Sequence, residues 1–134
     1  MKNKFIKNIL MSIAICASTL VISLNSCVIA NAENWYNNGN NWYHFDDNGG
    51  MAIGWQYYGN NWYYFDDEGI MATSWYYDGF NWYRFNDDGT MKKGWYYDGA
   101  NWYFFNENGI MLTGTYYDGH VWYNFNEDGT MVLG

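Results

Sequence analysis

Residues 35–54, 55–74, 75–94, 95–114 and 115–134 align without a gap at a period of 20. A period this short means a supersecondary unit that cannot bury its own apolar face and must stack on its neighbours. The shared unit reads W-x-x-x-G-x-N-W-Y-x-F-x-x-x-G-x-M-x-x-G. Trp35, Trp55, Trp75 and Trp95 open four copies, and Thr115 opens the fifth. Trp42, Trp62, Trp82, Trp102 and Trp122 hold the eighth position, with a tyrosine after each and a phenylalanine two residues further on. Met51, Met71, Met91, Met111 and Met131 hold the seventeenth.

Each copy reads as a β-hairpin. In the third, Trp75-Tyr76-Tyr77 favours a strand. Asp78-Gly79 is the signal for a two-residue type I′ turn, and Phe80 to Phe85 returns as the second strand. Asn86-Asp87-Asp88-Gly89 carries loop chemistry before the next copy. With Asp78 and Gly79 as the loop, Tyr77 faces Phe80, Tyr76 faces Asn81 and Trp75 faces Trp82. Opposed residues share a face, so the two indoles are neighbours. Tyr83 and Phe85 take the other face. A lone hairpin is marginal. The expected fold is therefore all-β: a solenoid, or superhelix, of five stacked β-hairpins. Trp pairs of one hairpin would look toward the tyrosine of the next.

Two indoles and a phenol can line a three-walled box. Ring faces attract a cation, and a quaternary ammonium has no N–H to leave unsatisfied, so it loses water more readily than a primary amine. The same rings also suit a plain core. The Phe series and the tyrosine after each second Trp read as core, and methionine is the usual gap-filler. For the Trp pairs both readings stand.

The segment Gly94-Trp95-Tyr96-Tyr97-Asp98-Gly99-Ala100-Asn101-Trp102-Tyr103-Phe104-Phe105 closely resembles the choline-binding, or cell-wall-binding, repeats of Gram-positive surface proteins. The resemblance covers residues 35–134. It implies a left-handed superhelix in which choline of teichoic acids sits between consecutive repeats, held by two Trp, an aromatic of the next repeat and often a Met. Carried over, the four expected sites are Trp35, Trp42, Met51 and Tyr63; Trp55, Trp62, Met71 and Tyr83; Trp75, Trp82, Met91 and Tyr103; and Trp95, Trp102, Met111 and Tyr123. Tyr64 or Phe104 would replace the neighbouring tyrosine if the stacking differed. Thr115 breaks the fifth copy's Trp pair, so no site is expected there. Ser74, in place of the unit-ending glycine, is expected to alter the bend between the second and third copies. The resemblance also extends to carbohydrate-binding arrays, which makes a glucan or cell-surface glycan the alternative ligand. A purely structural or adhesive repeat is the third reading.

Residues 1–32 read differently. Lys2, Lys4 and Lys7 precede an apolar run from Ile9 to Leu24 and the small-residue box Ala30-Asn31-Ala32. That is the pattern of a secretory signal peptide, with cleavage expected after Ala32, so that 33–134 is the repeat domain. Leu24-Asn25-Ser26-Cys27 keeps a lipidated Cys27 as the alternative. Removal of 1–32 takes both cysteines with it, and leaves Arg84, Lys92 and Lys93 against 14 acidic residues, a charge of −11. That charge opposes nucleic acid. It leaves a zwitterionic phosphocholine free to approach. The repeats hold one serine, Ser74, and two histidines, His44 and His120, in different copies, so no enzyme is expected. No cofactor or metal is expected either: loops such as Asp66-Asp67-Glu68-Gly69 offer oxygen ligands without the spacing of a calcium loop. The expected protein is secreted and associated with the cell wall, without a membrane span in its mature chain. Homodimerisation through the terminal hairpin is left open.

Overall fold

The computed structural model describes residues 34–133. The expected signal peptide, 1–32, lies outside them. Among the described residues no helix is long and apolar enough to cross a membrane. The chain divides into two bodies, one ending at Ala52 and the other beginning at Ile53.

The first body holds one hairpin. Strand β1 (Trp35–Asn37) pairs antiparallel with β2 (Trp42–His44), placing Trp35 opposite His44 and Asn37 opposite Trp42. Its tip is closed by Asn38, whose Oδ1 accepts the amides of Asn40 and Asn41. Phe45 then bridges to Met51.

The second body holds four hairpins: β3 (Gly54–Tyr58) with β4 (Asn61–Phe65), β5 (Ser74–Tyr77) with β6 (Trp82–Phe85), β7 (Gly94–Tyr97) with β8 (Trp102–Phe105), and β9 (Gly114–Tyr117) with β10 (Trp122–Phe125). Each is its own two-stranded sheet, as a hairpin solenoid requires. After each second strand a tight turn sends the chain back. Gly69 N donates to Asp66 O at 2.9 Å, and Asp66 Oδ1 accepts the amides of Glu68 and Ile70. Phe65 then bridges Met71, a step repeated at Phe85–Met91, Phe105–Met111 and Phe125–Met131.

The register differs from the expected one by two residues. Trp75 lies opposite Arg84, and Tyr77 rather than Trp75 lies opposite Trp82. The tip is Gly79-Phe80, not Asp78-Gly79, and only the glycine has positive φ, +98°. A type I′ turn would need both. The cause is the Asp78 carboxylate. Its Oδ1 accepts the Phe80 and Asn81 amides at 2.8 and 2.7 Å, and its Oδ2 accepts the Tyr83 hydroxyl at 3.1 Å. Those bonds curl the chain beyond Asp78, an Asx-type closure. Asp98 and Asp118 do the same in their loops. Only β3–β4 has positive φ at both tip residues, Gly59 (+55°) and Asn60 (+65°), as a type I′ turn does. A shift of two preserves the faces, so Trp75 and Trp82 still share one as diagonal neighbours.

Alternation then builds the stack. Trp55 packs on Tyr76, Tyr83 and Phe85 of the following hairpin, with centroids at 6.1, 4.8 and 5.6 Å. Trp75 and Trp95 repeat this on Tyr103 with Phe105 and on Tyr123 with Phe125. Phe65, Phe85 and Phe105 are fully enclosed. Each such side chain removes enough apolar area from water to contribute roughly 1.5–3 kcal/mol. Beside this seam, Tyr64 stacks on Tyr76 at 4.0 Å and Phe104 on Tyr116 at 4.8 Å. In the same place Arg84 lays its guanidinium over Tyr96 at 4.4 Å, a cation–π contact standing in for a ring stack. Ser74 keeps the left-handed backbone of the glycines it replaces, φ +84° against +71° at Gly94 and +74° at Gly114, so the bend expected to change is retained. Its hydroxyl accepts a 3.1 Å bond from Arg84 Nη1.

Candidate functional site

In the second body, one face of each of the first three hairpins carries both indoles. Trp55 and Trp62 meet edge to face, centroids 6.3 Å apart at 82°. Trp75 with Trp82 (6.3 Å, 86°) and Trp95 with Trp102 (6.2 Å, 86°) superimpose on that geometry. Each first indole also meets the tyrosine of the next hairpin edge to face: Trp55–Tyr83 at 4.8 Å and 65°, Trp75–Tyr103 at 5.0 Å and 67°, and Trp95–Tyr123 at 4.9 Å and 67°. Three mutually inclined rings leave a corner rather than a filled stack. The second indoles stay substantially exposed. Phe104 does not take the place of Tyr103: it lies opposite Trp95 within its own hairpin.

Around Trp55, Trp62 and Tyr83 the corner opens into a cavity of about 280 Å³. Its sulfur is Met91, not the expected Met71. Met91 is drawn there because its amide donates to Trp62 O at 2.8 Å, stitching the third repeat to the second strand of the hairpin before it. Met111 bonds to Trp82 O, and Met131 to Trp102 O, in the same way. The methionine therefore comes from one repeat further along than the sequence reading placed it. Met71 packs beneath Gly89, where a Cβ would overlap its thioether; Gly109 covers Met91 and Gly129 covers Met111 likewise. These turn glycines combine positive φ with a close approach that only hydrogen allows. Trp35, Trp42 and Met51 lie in the first body, and Tyr63 in the second.

Two further residues line the cavity, Glu107 and Asn108, from the turn of the fourth repeat. Neither was singled out from the sequence, where they look like ordinary loop residues. Only the stacking brings a turn two repeats away over Met91. The hint available was the acidic residue recurring at that position in every copy.

The tyrosine walls are fixed by their hydroxyls. Tyr83, Tyr103 and Tyr123 each donate to the loop aspartate of their own hairpin at 3.1 Å. Burial, and then the bond to Asp78 or Asp98, pushes the Tyr83 and Tyr103 phenols up from their ordinary value. The backbone amides at the tips hold Asp78, Asp98 and Asp118 below the usual carboxylate range. The walls therefore remain neutral phenols at physiological pH. Among the described residues no group of three or more His, Cys, Asp or Glu is placed to hold a metal.

The family "Choline-binding repeat" matches residues 32–76, and "Putative cell wall binding repeat" matches residues 93–111. No curated protein sequence matches the chain. Among solved structures, choline binding protein F from Streptococcus pneumoniae is 40% identical, with a TM-score of 0.72 over 77% of this chain and 36% of that one. CbpJ from Streptococcus pneumoniae TIGR4 is 40% identical, with a TM-score of 0.75 over 87% of this chain and 41% of that one. The pneumococcal cell wall endolysin from phage Cp-1, solved with choline, is 33% identical, with a TM-score of 0.62 over 84% of this chain and 34% of that one. The chain thus spans well under half the length of each of these.

Proposed function

The chain is built of choline-binding repeats, and from that premise we propose that it is a cell-wall attachment module whose aromatic corners take the trimethylammonium head of choline carried on teichoic acid. The observation that carries this reading is the corner repeated three times with the same angles: Trp pair, next tyrosine, and a methionine tied to the second Trp. A desolvated cation over an indole gains about 2 kcal/mol or more. Association costs leave one such site weak. Linked sites on one polymer then gain about 10²–10⁴ in avidity. The module works by adhesion rather than catalysis. Its place outside the cell rests on the leader-like residues 1–32.

A glycan is the second reading, favoured by the outward rings of Tyr57, Tyr77, Tyr97 and Tyr117. Tryptophan fluorescence separates the two. Choline should give a saturable change that an equal concentration of NaCl does not. Trp82→Ala should weaken it by removing one corner, and Trp122→Ala should leave it intact. A response to oligosaccharide alone would transfer the site to the second reading, and silence to both ligands would leave the rings as core.

A further inference from the structure

The Trp55–Trp62 corner differs from its two counterparts in what adjoins it. A second, larger groove of about 580 Å³ shares Trp62 and Met91 with the first cavity and is otherwise lined by Tyr57, Asn60, Asn61 and Lys93. Lys93 is one of three basic residues after residue 32, and its counterparts in the neighbouring copies are Thr73 and Thr113. Its Nζ lies 3.9 Å from Glu107 Oε2, and both side chains remain open to solvent. Glu107 lines the corner while Lys93 lines the groove. The acid thus borders the corner and the base borders the groove, the two meeting where both spaces share Trp62 and Met91 as a wall.

That order of charges matches a zwitterion laid across the wall. We propose that the Lys93 groove is an anion subsite that receives the phosphate of a choline phosphoester whose ammonium occupies the Trp55–Trp62–Tyr83 corner. This makes the corner a phosphocholine site, where its counterparts read the ammonium alone. The inference rests on the choline reading above and adds a second contact to it. A phosphate entering the groove would meet Lys93 at the surface, where screening keeps the gain small and salt-dependent. The −11 charge of residues 33–134 makes a local base more telling, because an anion finds little other attraction on this surface.

Calorimetric and fluorescence titrations of the full repeat chain with choline and with phosphocholine test this. At low salt phosphocholine should bind a subset of sites about two- to five-fold more tightly than choline, an advantage of the size expected for one exposed ion pair. Lys93→Gln should abolish that advantage and leave choline affinity unchanged. Thr113→Lys, at the equivalent exposed position beside the Trp75–Trp82 corner, should extend the advantage to a further site. Choline binding without any phosphocholine preference, or a preference that survives Lys93→Gln, overturns the anion subsite alone. Absence of a saturable response to either ligand overturns the choline reading and the subsite together.

Discussion

The third and fifth hairpins have the same plan and different outer faces. Both pair in one register, with Tyr77 opposite Trp82 and Tyr117 opposite Trp122. Both close on an aspartate that caps two amides. Both bury their phenylalanine, Phe85 at 0% and Phe125 at 4% exposure. On the outer face they part at the pair Trp75 and Arg84 in the third, Thr115 and Asn124 in the fifth, where Thr115 Oγ1 donates to Asn124 Oδ1 at 3.0 Å. Trp122 is 65% exposed, against 44% for Trp82. A hairpin of this kind thus keeps its shape without the outer indole pair. Tip, register and inner face make the fold, and the outer face makes the corner.

The largest test is on the inner face. Phe85→Ala and Phe125→Ala should each cost about 3–5 kcal/mol in denaturant melts, because both leave a void against the indole of the preceding hairpin. A cost below about 1 kcal/mol at Phe125 would show that the fifth hairpin is not held as the third is. A smaller effect is expected where the third hairpin begins. Ser74 holds a left-handed backbone that costs an L-residue about 1–2 kcal/mol. Ser74→Gly, which recreates the glycine found at Gly114, should therefore raise stability by about 1 kcal/mol, less whatever the Arg84 hydrogen bond contributes. A loss of stability would make that bond the stronger term.

The smallest expected effect is on acid sensitivity. Asp78 and Asp118 have folded pKa values below the ordinary carboxylate value, held down first by the Asn81 and Val121 amides. Their contribution is complete above the unfolded pKa of about 4 and is lost as pH falls through the folded value. Asp78→Asn and Asp118→Asn should each flatten the acid limb of stability against pH, and by similar amounts. Unequal flattening would mean that the two tips, alike in geometry, are not alike in energy.

Much of this molecule was legible in its sequence. The period announced stacked hairpins, and alternation placed Tyr83 and Phe85 opposite the indole face, with Tyr83 toward the preceding Trp pair. The register was misread because Asp78-Gly79 is a turn signal in isolation, whereas the Asp78 side chain caps amides beyond the glycine and moves the tip one residue on. Met91 in place of Met71 was also hidden, since the Met91–Trp62 hydrogen bond crosses 29 positions. Glu107 carried only the hint of a recurring acidic position, and Lys93 gave no local signal.

What the sequence determined by itself was everything set by neighbours along the chain: strand propensity, glycines where the backbone turns left-handed, and the face on which each ring stands. What the tertiary structure decided was everything set by the rise of one hairpin onto the next. That stacking chooses which methionine and which turn, one and two repeats ahead, reach an indole pair, and whether the rings close on one another or leave a corner open. The physical reason is that strand alternation is a local property of the backbone, while the offset between stacked hairpins is fixed only when their aromatic faces interlock.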